Sequence, residues 1–180
     1  MALLAEEIVE EWLNRQGYFT IRGIKIGVDE IDILAIKPSE DGRIECRHFE
    51  IQCSMRPVGY ISSVPREIQK ATGRASGSAK ARTVEELAAG VKEWIEKKFN
   101  AKKKIDLMKR LYPSTWSREL VINVVRSNDE IEFMRKNGIT IHNFKDIVSN
   151  LSQNVGMLQS ATGADLTDLI MMGIQTNHKF

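Results

Sequence analysis

Two segments that read as buried strands carry acidic side chains where apolar ones are the rule. In EIDILAIK, strand alternation places Asp32 on one face together with apolar residues. In IECRHFEIQCSM, the same alternation places Glu50 and Gln52 on one face. A carboxylate at a buried position is costly unless it is paired or bound to a metal. Asp32 and Glu50 are therefore the first candidates for a functional site.

Two carboxylates on neighbouring strands have the chemistry to hold one hard divalent cation, which prefers oxygen ligands. The backbone carbonyl of Ile51, between Glu50 and Gln52, is a candidate third oxygen. A site of this kind suits Mg²⁺ or Mn²⁺, which activates water and stabilises charge on a phosphate. We therefore predict a metal site formed by Asp32, Glu50 and Ile51.

Other chemistries have less support in the sequence. Cys46 and His48 do not form a zinc signature, because no second pair follows at a suitable spacing. As i, i+2 neighbours on a strand they also lie too far apart for a catalytic dyad. Cys46 and Cys53 are seven residues apart in one strand and beyond disulfide reach, so we expect free thiols and a cytoplasmic protein. No Walker loop, dinucleotide fingerprint or nucleophile elbow is present.

The surrounding sequence predicts the elements that must position these acids. A helix, three antiparallel strands and then alternating helices and strands predict an α/β fold with a mixed central sheet and helices on both faces. Two capping boxes, Thr83 to Glu86 and Ser127 to Glu130, mark helix starts. We expect one domain over 1–150 and a C-terminal helical tail over 151–180. The expected helices are 3–16, 66–72, 83–99, 104–111, 127–138, 143–151 and 164–172, and the expected strands are 18–26, 30–37, 44–55, 119–125 and 139–141.

Composition and charge narrow the classes of partner. The chain has 180 residues, 42% hydrophobic and 28% charged, which is ordinary for a globular protein. No apolar run approaches a membrane span, and the acidic N-terminal segment does not resemble a secretion signal. The net charge of +2 conceals a basic segment, because residues 66–110 carry 13 basic and 6 acidic side chains. Such a segment can face a polyanion, and it can equally form a solvated helix face.

The order of these features resembles the PD-(D/E)XK nuclease superfamily. Its members place an Asp on the second strand and an acid-x-Lys triplet on the third, and Asp32 and Glu50-Ile51-Gln52 match those positions. The stretch EEIVEEWLNRQGYFTIR is similar to the start of archaeal Holliday-junction resolvases, which makes Glu6 the best match to an acid on the first helix, ahead of Glu7 and Glu11. The resemblance covers residues 3–150 and implies a restriction-endonuclease-like fold and Mg²⁺-dependent cleavage of DNA.

The resemblance also assigns roles to individual residues. Asp32 and Glu50 would bind the metal, Gln52 would position water, and Glu6 would assist. Basic residues of the middle segment would hold the DNA backbone through contacts that carry no sequence information. Family members often dimerise, so a homodimer is expected. A protein partner is expected if the chain is a subunit of a restriction or repair complex. The predicted DNA contacts are Lys70, Arg74, Lys80, Arg82, Lys97 and Lys98.

Gln52 departs from the family pattern, because an amide can bind water but brings no positive charge. Lys37, Arg47 and Lys70 are candidates to supply that charge, and the sequence does not select among them. Two alternatives to a nuclease therefore stay open. One is a nucleic-acid-binding module that has lost the chemistry, and the other is a subunit that is active only within a larger complex.

Overall fold

The computed structural model describes residues 2–54, 56–153 and residue 165. Five strands and six helices occur in these residues. In chain order they are α1 (Ala2–Arg15), β1 (Phe19–Ile26), β2 (Asp29–Pro38), β3 (Ile44–Gln52), α2 (Arg66–Thr72), α3 (Val84–Lys98), α4 (Lys102–Leu111), β4 (Ser117–Ile122), α5 (Asn128–Lys136), β5 (Ile139–Asn143) and α6 (Phe144–Gln153).

The strands form one mixed sheet in the order β1-β2-β3-β4-β5. The first three are antiparallel, whereas β4 is parallel to β3 and β5 is parallel to β4. This arrangement confirms the predicted fold class, a restriction-endonuclease-like α/β sheet with flanking helices. The fourth strand ends at Ile122 rather than at residue 125, because Val125 leaves the sheet and bridges to Val58.

The two faces of the sheet pack against different helices, and β3 contributes to both. Phe49 and Ile51 point into a core shared with α1 and α6, where Leu13 and Leu151 are also buried. His48 and Glu50 point to the opposite face, which α3, α4 and α5 cover. Burying a side chain as large as Phe49 contributes about 1.5–3 kcal/mol. The apolar residues of β3 therefore anchor the strand in the core, and its opposite face carries the polar residues His48 and Glu50.

The connection from β3 to α3 is held down by α5. The buried Glu130 carboxylate accepts hydrogen bonds from the backbone N–H of Ile61 (2.7 Å) and of Ser62 (2.9 Å). Thr83 and Glu86 form the reciprocal capping box that was predicted. The second box is only half formed: Ser127 caps the helix, but the Glu130 side chain turns to the 61–62 backbone instead of reaching back. The prediction of a complete box there was wrong because a buried anchor takes the carboxylate.

The remaining predictions about the chain concern thiols, membranes and the tail. Cys46 and Cys53 are unbridged, as expected. Within the described residues, no helix combines the length and apolarity needed to cross a bilayer. The predicted helix over 164–172 lies outside the described residues, apart from Asp165, which is helical.

Candidate active site

Glu50 is fully buried, and positive groups surround its carboxylate. The Nζ of Lys98 lies 2.6 Å from Oε2, and the Nζ of Lys104 lies 2.7 Å from Oε1. His48 Nε2 is 3.3 Å from the same Oε1. Burial alone would raise the pKa of Glu50, but His48 and the two lysines outweigh it and hold the pKa below its usual value. Glu50 is therefore a carboxylate at neutral pH.

Asp32 lies at an interruption of the sheet. The β1–β2 pairing passes from Arg22↔Ile33 to Ile24↔Ile31, and the β2–β3 pairing begins at Ile33, so both ladders omit Asp32. Its partner position on β1 is Gly23, whose positive φ of 65° suits glycine and breaks the regular pleat.

The Asp32 carboxylate replaces a ladder hydrogen bond. Its Oδ2 accepts a hydrogen bond of 2.6 Å from the Ile51 N–H. Its Oδ1 has no hydrogen bond to any described residue. Burial and, after it, the negative charge of Glu50 raise the pKa of Asp32 to about 7, although the Ile51 N–H and Lys98 oppose the shift. The structure thus brings the two predicted acids into electrostatic contact.

Lys98 and Lys104 are side chains of the candidate site whose contacts with Glu50 sequence reasoning missed. Lys98 was predicted as a contact to the DNA backbone, and Lys104 was expected to face solvent with the option of a phosphate contact, which is wrong because its side chain is 2% exposed. A signal was present: Lys98 falls at a helical spacing from Leu87, Val91 and Ile95, on the stripe that packs against the sheet. A lysine on the apolar stripe of a helix indicates a buried acidic partner, which here is Glu50.

The three cations proposed to compensate for Gln52 lie away from the acids. Lys37 and Arg47 both lie against the Tyr18 ring, and Arg47 pairs with Glu45. Lys70 is exposed on α2. None of the three contacts Asp32 or Glu50. Gln52 itself ends β3 on the same face as Glu50, and its amide makes no hydrogen bond with a described residue.

Glu6 is close enough to the site to affect its charge. It is buried on α1, although a solvated position is the commoner one for a helical glutamate. Burial and the charge of Glu30 raise the pKa of Glu6, and Glu6 in turn contributes to the raised pKa of Asp32. The neighbouring Glu7 pairs with Arg22 on β1, so Glu6 is the acid of this helix that faces the site.

The oxygen atoms of Asp32, Glu50 and Ile51 meet part of the requirements of a divalent-cation site. Among the described residues, no group of three or more His, Cys, Asp and Glu side chains is arranged to hold a metal. Two carboxylates suffice for Mg²⁺, which usually retains waters and binds substrate phosphates. The N–H and C=O of a residue in an extended strand point to the same side. Because the Ile51 N–H faces Asp32, the Ile51 carbonyl faces it too, and it remains the candidate third oxygen.

A groove of about 930 Å³ opens beside Lys98. Its lining includes α3 residues between Gly90 and Lys98, and Asp29 at the start of β2. Of the six predicted DNA contacts, Lys70, Lys80 and Lys97 are exposed. The other three have internal partners: Lys98 pairs with Glu50, Arg74 pairs with Glu86, and Arg82 bonds Ser62 and stacks on Tyr60.

Comparison with known proteins gives structural likeness only. No family model and no curated protein match the sequence. A protein of unknown function, AF1548, aligns with 95% of this chain and 79% of its own, at 11% identity and a TM-score of 0.47. A repair endonuclease from Pyrococcus abyssi aligns with 73% of this chain at 13% identity and a TM-score of 0.33. The aligned part spans 40% of that endonuclease.

Proposed function

We propose that this protein is a metal-dependent nuclease that hydrolyses phosphodiester bonds in DNA, with Asp32 and Glu50 as the acids that hold the metal. The observation that carries the proposal is the pair of acids itself. They lie on adjacent strands, one buried and ionised and the other with its pKa raised to about 7. Mutual repulsion of this kind is relieved when a cation binds between carboxylates. The sequence order of helix acid, Asp strand and Glu-x-Gln strand supports the same assignment.

Lys98 supplies the charge that Gln52 lacks. Its ammonium reaches the acid from α3 instead of from the strand, and its side chain is 24% exposed, so a substrate can reach it. A positive group at this place offsets the negative charge that develops on the phosphate when water attacks and the P–O bond breaks. Gln52 orients water from the same strand face, and Glu6 adds negative charge near Asp32.

A bound Mg²⁺ or Mn²⁺ supplies Lewis acidity to the phosphate and lowers the pKa of bound water. Asp32, Glu50 and the Ile51 carbonyl would hold it. Because Lys98 contacts Glu50 Oε2 in this structure, a cation held by Glu50 would compete with Lys98 for that oxygen. The exposed lysines Lys70, Lys80 and Lys97 hold the DNA backbone in a sequence-neutral way.

The second candidate function is a DNA-binding module without catalysis. The observation in its favour is that both oxygens of Glu50 already have lysine partners, an arrangement that also serves as a purely structural ion cluster. A subunit that needs a partner for activity, and a homodimer that cuts both strands, are variants of the nuclease proposal.

A cleavage panel separates these functions. Purified protein is incubated with supercoiled, linear, single-stranded and branched DNA in Mg²⁺, Mn²⁺ or EDTA, and binding is measured in parallel by fluorescence anisotropy. Metal-dependent cleavage that is lost in Asp32→Ala and Glu50→Ala supports the nuclease. Binding at low salt with no cleavage of any substrate supports the module or the partner-dependent subunit. Equal cleavage by wild type and both variants would contradict the assigned site.

A further inference from the structure

Lys104 is a lysine with almost no access to solvent, since its side chain is 2% exposed. Its Nζ lies 2.7 Å from Glu50 Oε1 and 2.9 Å from the backbone oxygen of Lys98. One ammonium group therefore connects the acid on β3 with the last residue of α3. The side chain fixes the carboxylate and the helix end from which Lys98 extends.

The position of Lys104 is unfavourable for the helix that carries it. It is the third of three lysines in the first turn of α4, which has no acidic residue and no side-chain cap. A helix N-terminus carries partial positive charge, so each cation there is unfavourable. Taking an ammonium out of water is more unfavourable still. A methionine here would avoid those costs but would leave Oε1 of the buried Glu50 without its ammonium partner, so the lysine is explained by the carboxylate that it holds.

The two lysines differ in access although they share one carboxylate. Lys98 is partly exposed, lines the groove and contacts the Oε2 of Glu50 through its Nζ. Lys104 lies on the sheltered side with Oε1 and His48. A solute that enters the groove meets Lys98 before Lys104, because Lys98 lines the groove and Lys104 does not.

We propose that Lys104 is a positioning residue: it holds Glu50 Oε1 and the end of α3 in place, so that Oε2 and Lys98 are the exchangeable pair that metal and substrate separate. The proposal rests on the proposed function and deepens it. The contact of Lys104 with Glu50 is fixed, and the similar contact of Lys98 with Glu50 is exchangeable. The proposal predicts that Mn²⁺ releases Lys98 and leaves Lys104 where it is.

Lysine acetylation by acetic anhydride, read residue by residue by mass spectrometry, tests this in the full chain. Without metal we expect fast labelling of Lys97, slow labelling of Lys98 and none of Lys104. Saturating Mn²⁺, with binding followed by electron paramagnetic resonance of the same sample, should speed labelling of Lys98 by about threefold or more, since local opening sets such rates. Lys104 should stay unlabelled. Labelling of Lys104 on metal binding, or bound Mn²⁺ with no change at Lys98, would overturn the proposal.

A metal-free arm keeps the test independent of the nuclease proposal. Lys104→Met should speed labelling of Lys98 by about threefold or more, although the direct partner of Lys98 remains. Arg15→Met is the matched control, because it removes another buried cation, one paired with Glu11 at 2.8 Å. An unchanged rate in Lys104→Met, or an equal increase in Arg15→Met, would refute the positioning role. If Lys104→Met does not fold, Lys104→Gln takes its place. Absence of Mn²⁺ binding by wild type would count against the proposed function alone.

Discussion

Lys98 Nζ and Glu50 Oε2 are 2.6 Å apart, although 48 residues separate them in the sequence. The lysine ends a helix on one face of the sheet, and the glutamate lies in the central strand beneath it. Burial would lower the pKa of Lys98, but the Glu50 carboxylate outweighs this and raises it. Both groups are therefore charged at neutral pH, and Lys98 lines the groove while the Glu50 carboxylate that it contacts is buried.

Replacing Lys98 should impair chemistry more than binding. We expect Lys98→Met to lower kcat by about 100-fold or more, because the charge that offsets the transition-state phosphate is lost. The Kd for DNA should change by less than about threefold, since one phosphate contact contributes little at moderate salt. Single-turnover cleavage and anisotropy binding measure the two quantities. Lys97→Met, at the adjacent exposed lysine, is the control and should retain kcat.

A lysine introduced on β3 should restore part of the activity that Lys98→Met loses. Gln52→Lys in the Lys98→Met background restores a positive charge two residues from Glu50, on the same face of β3. We expect the double variant to recover about tenfold of the lost kcat, measured under the same conditions. Full activity of Lys98→Met alone would show that Lys98 has no part in the reaction.

Asp32→Asn should stabilise the protein above neutral pH. The folded-state pKa of Asp32, about 7, lies above its usual 3.8, so the folded protein binds the extra proton between these values. Wild-type stability therefore falls as pH rises from about 4 to about 7, and the amide avoids this loss. We expect the variant to melt about 2–8 °C above wild type at pH 8, which corresponds to about 1–2 kcal/mol. Near pH 4 the two Tm values should coincide, and a constant difference across the range would contradict the assignment.

DNA binding should depend steeply on salt and on the exposed lysines. Alanine at Lys70, Lys80 or Lys97 should each reduce the slope of log Kd against log salt by about 1, because each removes one phosphate contact. Arg74→Ala should leave this slope unchanged and lower the Tm instead, since Arg74 pairs with Glu86 and bonds the Lys80 carbonyl. Anisotropy titrations between low and physiological salt provide the slopes. Unchanged slopes in all three lysine variants would show that the DNA binds a different surface of the protein.

Glu130 should be a stability residue. Glu130→Ala removes the acceptor of the Ile61 and Ser62 N–H groups and should lower the free energy of unfolding by about 2–4 kcal/mol. The loop over 73–82 should then be cleaved faster by a protease. Glu132→Ala, on the exposed side of the same helix, should change stability by less than about 1 kcal/mol. Urea denaturation followed by tryptophan fluorescence gives both values, and similar losses in the two variants would contradict the anchoring role.

The sequence alone predicted the strands of the sheet and the two acids, Asp32 and Glu50, that they carry. Strand alternation separated Phe49 and Ile51 from Glu50 and Gln52, because the period of two is a local property of extended chain. The contact of Lys98 and Lys104 with Glu50 could not be read in the same way. It depends on how α3 and α4 lie across the sheet, which is a matter of tertiary packing, and only the apolar stripe around Lys98 hinted at it. Glu130 shows the same limit, since its capping motif was recognised but its partner lies 69 residues away.

The most direct test of the account is the initial rate of plasmid nicking in Mg²⁺ by wild type, Asp32→Asn and Glu45→Gln. Asp32→Asn is the sharpest variant, because it should fold at least as well as wild type and loses only the charge that holds the metal. Glu45→Gln changes a half-buried acid on β3 that pairs with Tyr18 and Arg47 instead. The account predicts nicking by wild type and Glu45→Gln that EDTA abolishes, and none by Asp32→Asn. Nicking by Asp32→Asn at the wild-type rate would contradict it.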